Sequence, residues 1–157
     1  MKTLLVMVGR TDEEWLASGI AEYVKRINRY LSFQEVVIQD VKKGKRMPEG
    51  LVKKEEGLQI LKRISPGNVV VLLDEKGSVN SSRAFAIFIQ KQMNSGIRNL
   101  VFVIGGAYGF SEEMYARGDY KISLSKMTFS HQMVRLIFTE QFYRAMTILN
   151  NEPYHHD

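Results

Sequence analysis

Cysteine is absent from this chain of 157 residues. The protein can therefore form neither a disulfide nor a thiolate metal site, and this composition fits a reducing, cytoplasmic location. Long apolar runs are also missing: the run at 1–9 is too short for a signal peptide or a membrane span, so we expect no membrane association. The three histidines lack spaced partner ligands, and we expect no metal site.

Three common ligand-binding motifs are missing as well. No G-x-x-x-x-G-K-[ST] follows a predicted strand, which excludes a P-loop, and no G-x-S-x-G supports a nucleophile elbow. The glycines after residue 104 are spaced G-G-x-x-G and follow the fourth predicted strand. A dinucleotide fingerprint has the spacing G-x-G-x-x-G and follows the first strand of its unit, so this class of site is also unsupported.

Basic residues outnumber acidic ones by 22 to 17, which gives a net charge of +5 and favours a polyanionic partner. Four of the basic residues, Lys42, Lys43, Lys45 and Arg46, fall within five positions. This segment is either a solvated loop or a loop that contacts phosphates.

Predicted strands and helices alternate along the chain, which is the pattern of a single α/β domain over residues 1–157. Apolar periodicity predicts strands at 3–8, 33–38, 69–73, 100–104 and 120–124, and helices at 12–30, 51–64, 81–93, 111–116 and 133–149. The runs at 69–73 and 100–104 are continuously apolar, as in parallel strands that are buried on both faces. We expect Thr11 or Asp12, Ser111 and Ser130 to act as helix N-caps.

The segment from Gly105 to Gly109 directly follows the strand at 100–104. Glycine lets a ligand approach the backbone closely, and ligands in open α/β sheets collect at the carboxyl ends of strands. The segment is therefore either a small-molecule site or a tight turn that leads into the next helix.

The helix predicted at 133–149 is apolar around most of its circumference. Such a helix must be buried on more than one side. It is either a central core helix or a helix whose second side is covered by another subunit, and we expect a homodimer.

Three segments together resemble the RlmH family of SPOUT-class ribosomal RNA methyltransferases. They are Val71-Leu-Leu-Asp-Glu-Lys-Gly77, Phe102-Val-Ile-Gly-Gly-Ala-Tyr-Gly109 and the run at 122–145, which contains Ser125-Lys-Met-Thr-Phe-Ser-His-Gln-Met133. The resemblance implies a parallel α/β sheet with a C-terminal trefoil knot. It also implies that the protein uses S-adenosylmethionine to methylate N3 of a pseudouridine in a stem-loop of 23S (large-subunit) ribosomal RNA.

The same resemblance implies two sets of site residues. The cofactor contacts fall on Leu73, Gly105, Leu124, Ser125, Lys126, Met127, Thr128 and Phe129, and the catalytic group comprises His131, Arg135, Tyr154 and His155. The family often has proline where Ser130 stands.

The chemistry requires a proton to leave the acceptor nitrogen, and histidine is the usual base near neutral pH. His131, His155 or water could take that proton. Arg135 lies on the same helical face as His131 and could hold a phosphate or the developing anion. The resemblance suggests that the tail with Tyr154 and His155 closes the site on the partner subunit.

Two other functions remain open at this point. One is a non-catalytic, basic RNA-binding or ribosome-assembly protein with the same fold. The other is an α/β nucleotide-binding protein that acts on a small molecule.

Overall fold

The computed structural model describes residues 1–41 and 47–156, so the basic segment at 42–46 lies outside the described residues. The strands are β1 (Lys2–Val8), β2 (Ser32–Ile38), β3 (Val69–Val79), β4 (Asn99–Ile104) and β5 (Tyr120–Ser123). The helices are α1 (Glu14–Ile27), α2 (Glu49–Leu61), α3 (Ser82–Asn94), α4 (Glu112–Arg117) and α5 (Met133–Leu149).

The five strands form one sheet in the order β2-β1-β4-β3-β5, and all neighbouring pairs are parallel. The predicted parallel α/β architecture is therefore confirmed. Because each parallel connection crosses a face of the sheet, the carboxyl ends of all five strands meet at one edge. The glycine segment after β4 lies at this edge, beside the ends of β1 and β3.

Successive residues of each central strand contribute to cores on opposite faces of the sheet. In β4, Phe102 belongs to a core that also contains Phe85 of α3 and Phe138 of α5, whereas Val103 belongs to a core with Ile60 of α2 and Met114 of α4. The strand therefore has to be apolar on both sides, which explains its continuous apolar sequence.

Helix α5 packs between α1 and α3 as well as on the sheet. Phe138 and Phe142 are fully buried inside this protomer, and Gly19 of α1 lies against Leu136. The wide apolar surface of α5 is thus largely accounted for by core packing. The homodimer stays a prediction, and its test needs residues other than these two phenylalanines.

Several element ends differ from the predictions. Strand β3 continues to Val79, past the predicted end at residue 73, because the chain rejoins β5 at Ser78 after an irregular segment. Helix α1 begins at Glu14 without a side-chain cap, so the cap predicted at Thr11 or Asp12 is wrong.

The other two predicted caps have different outcomes. Ser111 is the N-cap of α4, where its hydroxyl accepts a hydrogen bond from the Met114 amide. The residue at the N-cap position of α5 is Gln132, although the Ser130 hydroxyl accepts from the amide of Met133 at 3.1 Å. Ser130 therefore stabilises the turn just before the helix. In the described part of the chain, no helix is both long and apolar enough to cross a membrane.

Candidate active site

A cavity of about 710 Å³ lies where β3, β4 and β5 end. Seven of the eight residues expected to contact the cofactor line it: Leu73, Gly105, Leu124, Ser125, Met127, Thr128 and Phe129. Lys126 is exposed and does not line the cavity. The volume is within the range of about 300–1,000 Å³ that is typical of small-molecule sites.

The loop between β5 and α5 forms one wall of the cavity. Ser123 donates its hydroxyl hydrogen to the carbonyl of Ser125 at 2.8 Å, and the Ser125 hydroxyl accepts from the Met127 amide at 2.9 Å. These short-range bonds fix the backbone of an otherwise irregular segment. They leave Met127 76% exposed and Phe129 36% exposed, so both apolar side chains are available to a ligand.

The glycine segment forms the adjacent wall as a tight turn. The Gly109 amide donates to the Gly106 carbonyl at 3.1 Å, and Gly109 has a φ of 81°, which favours glycine. A Cβ on Gly105 would meet the Gly109 carbonyl oxygen and the Phe110 ring at 3.2 Å. Gly105 is therefore needed for close packing of the turn, rather than to keep a side chain out of the cavity.

The irregular segment of β3 forms a third wall, with Asp74, Glu75 and Lys76. Asp74 accepts hydrogen bonds from the Lys76 amide at 2.7 Å and from the Tyr115 hydroxyl at 2.5 Å. Burial and this bond to Asp74 raise the pKa of Tyr115 to about 12, so Tyr115 stays protonated and acts as a donor at neutral pH.

Helix α2 closes the remaining side with Glu49 and Lys53. One turn further on, Glu56 is 7% exposed and lies against Gly106, and its Oε2 atom has no hydrogen-bond partner among the described residues. Burial, together with the nearby charge of Asp40, raises the pKa of Glu56 to about 6. Glu56 supports the glycine turn from behind and does not line the cavity.

His131 is the only one of the three histidines that lines the cavity. Its Nε2 atom lies 3.5 Å from Nε2 of Gln132. The Gln132 side chain donates to the Arg10 carbonyl at 3.0 Å and accepts from the Asp12 amide at 3.1 Å. The residue after His131 is thus tied to the segment that follows β1.

Comparison with known proteins identifies the family. The family described as "Predicted SPOUT methyltransferase" matches residues 1–155. The chain belongs to the SPOUT methyltransferase family. Relatives named "Ribosomal RNA large subunit methyltransferase H" are 55% identical in Christiangramia forsetii, over 99% of both chains, and 52% identical in Parabacteroides distasonis, over the full length of both. The resemblance to RlmH proteins is confirmed, and membership of this family implies the knot.

The structure of this SPOUT methyltransferase gives Arg135 a different position from the one expected. Arg135 is 0% exposed, and it donates to the carbonyls of Val8 at 2.6 Å and Gly9 at 3.0 Å. It also donates to the Thr11 hydroxyl and to the His131 carbonyl, each at 3.1 Å. Its guanidinium faces the end of β1 rather than the cavity, so this arrangement does not bring it to a phosphate or to an acceptor base.

The C-terminal tail of this SPOUT chain folds back along α5. The Tyr154 hydroxyl donates to Glu140 at 3.1 Å, its ring packs edge-on against Tyr143, and His155 Nδ1 lies 3.4 Å from Arg144. Glu140 is seven residues into α5, about 10 Å along the helix axis from its start beside the cavity. Neither Tyr154 nor His155 lines the cavity of its own protomer.

Sequence reasoning missed several lining residues of this SPOUT site. Lys53, Asp74 and Tyr115 line the cavity, and Glu56 lies behind it. Asp74 had a usable signal, because it directly follows a continuously apolar strand. The α2 residues had none, since their position depends on how that helix packs. Within residues 1–41 and 47–156, no three histidine, aspartate or glutamate side chains are grouped to hold a metal ion.

Proposed function

We propose that this protein transfers a methyl group from S-adenosylmethionine to N3 of a pseudouridine in a stem-loop of 23S ribosomal RNA, in the cytoplasm. The observation that carries the proposal is the cavity at the carboxyl ends of β3, β4 and β5, because the loops expected to hold the donor converge there. The full-length similarity to proteins named as large-subunit ribosomal RNA methyltransferases supports the choice of substrate.

The cavity suits a donor that is part apolar and part polar. Leu73, Leu124 and Phe129 offer apolar surface, and the backbone of the 124–129 loop offers amides and carbonyls for the edge of an adenine. The bound donor supplies a methyl group on a positively charged sulfonium, a good leaving group that needs no further activation.

The protein must then help the acceptor nitrogen to lose its proton. His131 is placed for this task, since it lines the cavity and its neighbour Gln132 is anchored to the segment after β1. Arg135 contributes indirectly, because its bond to the His131 carbonyl holds the first turn of α5. We therefore propose His131 as the base and Arg135 as a positioning residue.

Tyr154 and His155 enter the proposal only through a second subunit. They lie away from the cavity of their own protomer, so a direct catalytic role requires a homodimer in which the tail of one protomer reaches the cavity of its partner. Multi-angle light scattering tests the dimer at micromolar concentration. A monomer under these conditions would remove Tyr154 and His155 from the catalytic group.

The deciding experiment is methyl transfer from radiolabelled S-adenosylmethionine to ribosomal particles that lack the modification, with mapping of the modified nucleotide. Label at a single pseudouridine supports the proposal. Matched particles with uridine at that position provide the control, because uridine presents a different atom arrangement around N3. Label at another nucleotide, or equal label on the control particles, contradicts the proposed target.

The same preparation tests the non-catalytic alternative. Calorimetry measures donor binding, and sedimentation measures binding to the ribosomal particles. A protein that binds particles but neither the donor nor label would be an assembly or binding protein. A protein that binds only the donor and a small acceptor would belong to the third class considered from the sequence.

A further inference from the structure

Tyr108 occupies the tip of the glycine turn and lines the cavity at its rim. The turn runs from Gly106 to Gly109 and is closed by the bond between the Gly109 amide and the Gly106 carbonyl, so Ala107 and Tyr108 are its two central residues. The Tyr108 side chain is 49% exposed. An aromatic ring at the tip of a turn, beside a ligand cavity, is a surface that is open to a planar partner.

The turn that carries Tyr108 is held from behind by helix packing. A Cβ added to Gly106 would lie 2.4 Å from an oxygen of Glu56, and one added to Gly57 would lie 2.5 Å from the Ser111 hydroxyl. Helix α2 therefore packs closely on the turn and on the start of α4. A platform that is fixed before a ligand arrives loses little conformational entropy on binding.

Neither the Tyr108 side chain nor the Lys53 ammonium has a hydrogen bond, an ion pair or a ring contact with any of the described residues. Lys53 is half-buried on α2 and lines the same cavity as Tyr108. Their side chains thus place an aromatic face and a positive charge at one site without an internal partner. Unpaired RNA bases carry the two complementary groups, a π-face and a phosphate.

We propose that Tyr108 and Lys53 form a subsite for RNA, in which the Tyr108 ring stacks on the unpaired acceptor base and Lys53 contacts a neighbouring phosphate. The inference rests on the proposed function and names two residues of this chain that would recognise its substrate. An acceptor nitrogen is inaccessible while its base is stacked in RNA, so the base must leave the stack before transfer. A fixed aromatic ring offsets part of the stacking that is lost.

The position of Tyr108 favours the acceptor base over the donor as its partner. The residues expected to hold the donor lie at Leu73, at Gly105 and in the 124–129 loop, whereas Tyr108 is on the solvent-facing part of the glycine turn. A ring that served the donor would change donor affinity when it is removed. A ring that serves RNA would not.

The test compares Tyr108→Ala, Tyr108→Leu and Tyr108→Phe with the unmodified chain. We expect Tyr108→Ala to weaken binding to unmodified ribosomal particles, and to raise the KM for them, by roughly 5- to 150-fold, the range for loss of one stacked base. Tyr108→Leu should show most of this loss because it is apolar but not aromatic, and Tyr108→Phe should show little. Donor affinity by calorimetry should stay within about twofold in all three.

The charge of Lys53 is tested with a matched neighbour. Lys53→Gln should weaken particle binding and lower the salt dependence of the affinity by about one released counterion. Lys54→Gln removes the same charge from an exposed residue that does not line the cavity, and it should leave the salt dependence unchanged. Equal effects of the two substitutions would remove Lys53 from the subsite.

Other outcomes separate this inference from the proposed function. Particle binding that Tyr108→Ala leaves intact, or a loss of donor affinity in that variant, overturns the role of the ring. If the unmodified chain binds particles but transfers no methyl group, the proposed function fails while the binding comparison still tests the subsite. If the chain binds no ribosomal particles, both are wrong.

Discussion

Glu56→Gln tests whether a buried carboxyl group makes the stability of this protein depend on pH. The Glu56 side chain is buried behind the glycine turn, and one of its oxygens has no partner among the described residues. The substitution keeps the shape of the side chain and removes its ability to ionise. The pH dependence of stability isolates the charge, because any fixed cost of the new amide is the same at every pH.

The size and sign of the effect follow from the pKa. Burial and the charge of Asp40 raise the pKa of Glu56 from its ordinary value of 4.5 to about 6. Below about pH 4.5 the group is protonated in both the folded and the unfolded chain, and above about pH 6 it is ionised in both. The folded chain should therefore lose about 2 kcal/mol of stability as the pH rises through this window, and the variant should not show this loss.

Urea unfolding at a series of pH values from 4 to 8 measures the difference in free energy of unfolding between the two proteins. Glu55→Gln is the matched control, because Glu55 is the neighbouring residue on α2 and is exposed. Carbon-13 NMR of the glutamate carboxyl groups reports the pKa of Glu56 directly. Asp40→Asn should move this pKa back towards 4.5, since Asp40 is one of its two causes.

Two results would refute the reasoning about Glu56. The first is a stability difference between the unmodified chain and Glu56→Gln that stays constant over the whole pH range. The second is a Glu56 carboxyl group that titrates at its ordinary value in the folded protein. Either result would mean that water or a rearranged turn satisfies the carboxyl group in solution.

Three further changes test the site. Arg135→Met should lower the free energy of unfolding by at least about 3 kcal/mol in urea, because it leaves the carbonyls of Val8 and Gly9 without their charged donor. Removal of residues 154–157 should keep donor affinity within a few-fold but reduce methyl transfer by roughly 10²–10⁴-fold; an unchanged transfer rate would exclude the tail from the active site. His131→Ala should reduce transfer, with partial recovery at higher pH as the acceptor nitrogen ionises unaided; no recovery would argue against His131 as the base.

The central part of the fold could be predicted because its residues leave little choice. Residues 100–104 are apolar at every position, and a strand with this pattern must be covered on both faces, as β4 is. Helix α5 was predicted with its observed ends, since its apolar pattern runs without interruption from Met133 to Leu149. Its partners could not be predicted, because an all-round apolar helix is compatible with both a core and a subunit interface.

The extension of β3 could not be predicted from local pattern. The segment at 74–78 is polar and reads as a loop, yet the chain rejoins β5 at Ser78. Close packing makes this possible: a Cβ on Gly77 would lie 2.6 Å from the backbone of Ile122. The sequence shows the glycine but not the strand that approaches it.

Glu56 and Arg135 show why the candidate site was only partly predictable. Pattern reasoning places charged side chains in solvent, and both of these are buried. For Glu56 the cause is the packing of α2 on the glycine turn, which brings together segments about fifty positions apart in the chain. No property of the α2 sequence by itself indicates this contact.

Arg135 was placed on the correct helical face but given the wrong neighbour. The spacing of four residues does bring it to His131, and its Nε atom donates to the His131 carbonyl at 3.1 Å. The other donors reach the end of β1, a segment more than 120 residues away in the chain. Burial lowers the pKa of Arg135, while the carboxylates of Asp12, Asp40 and Glu35 act in the opposite direction and favour its charge. Because one guanidinium joins the end of β1 to the first turn of α5, the position of His131 depends on the edge of the sheet as well as on its own loop.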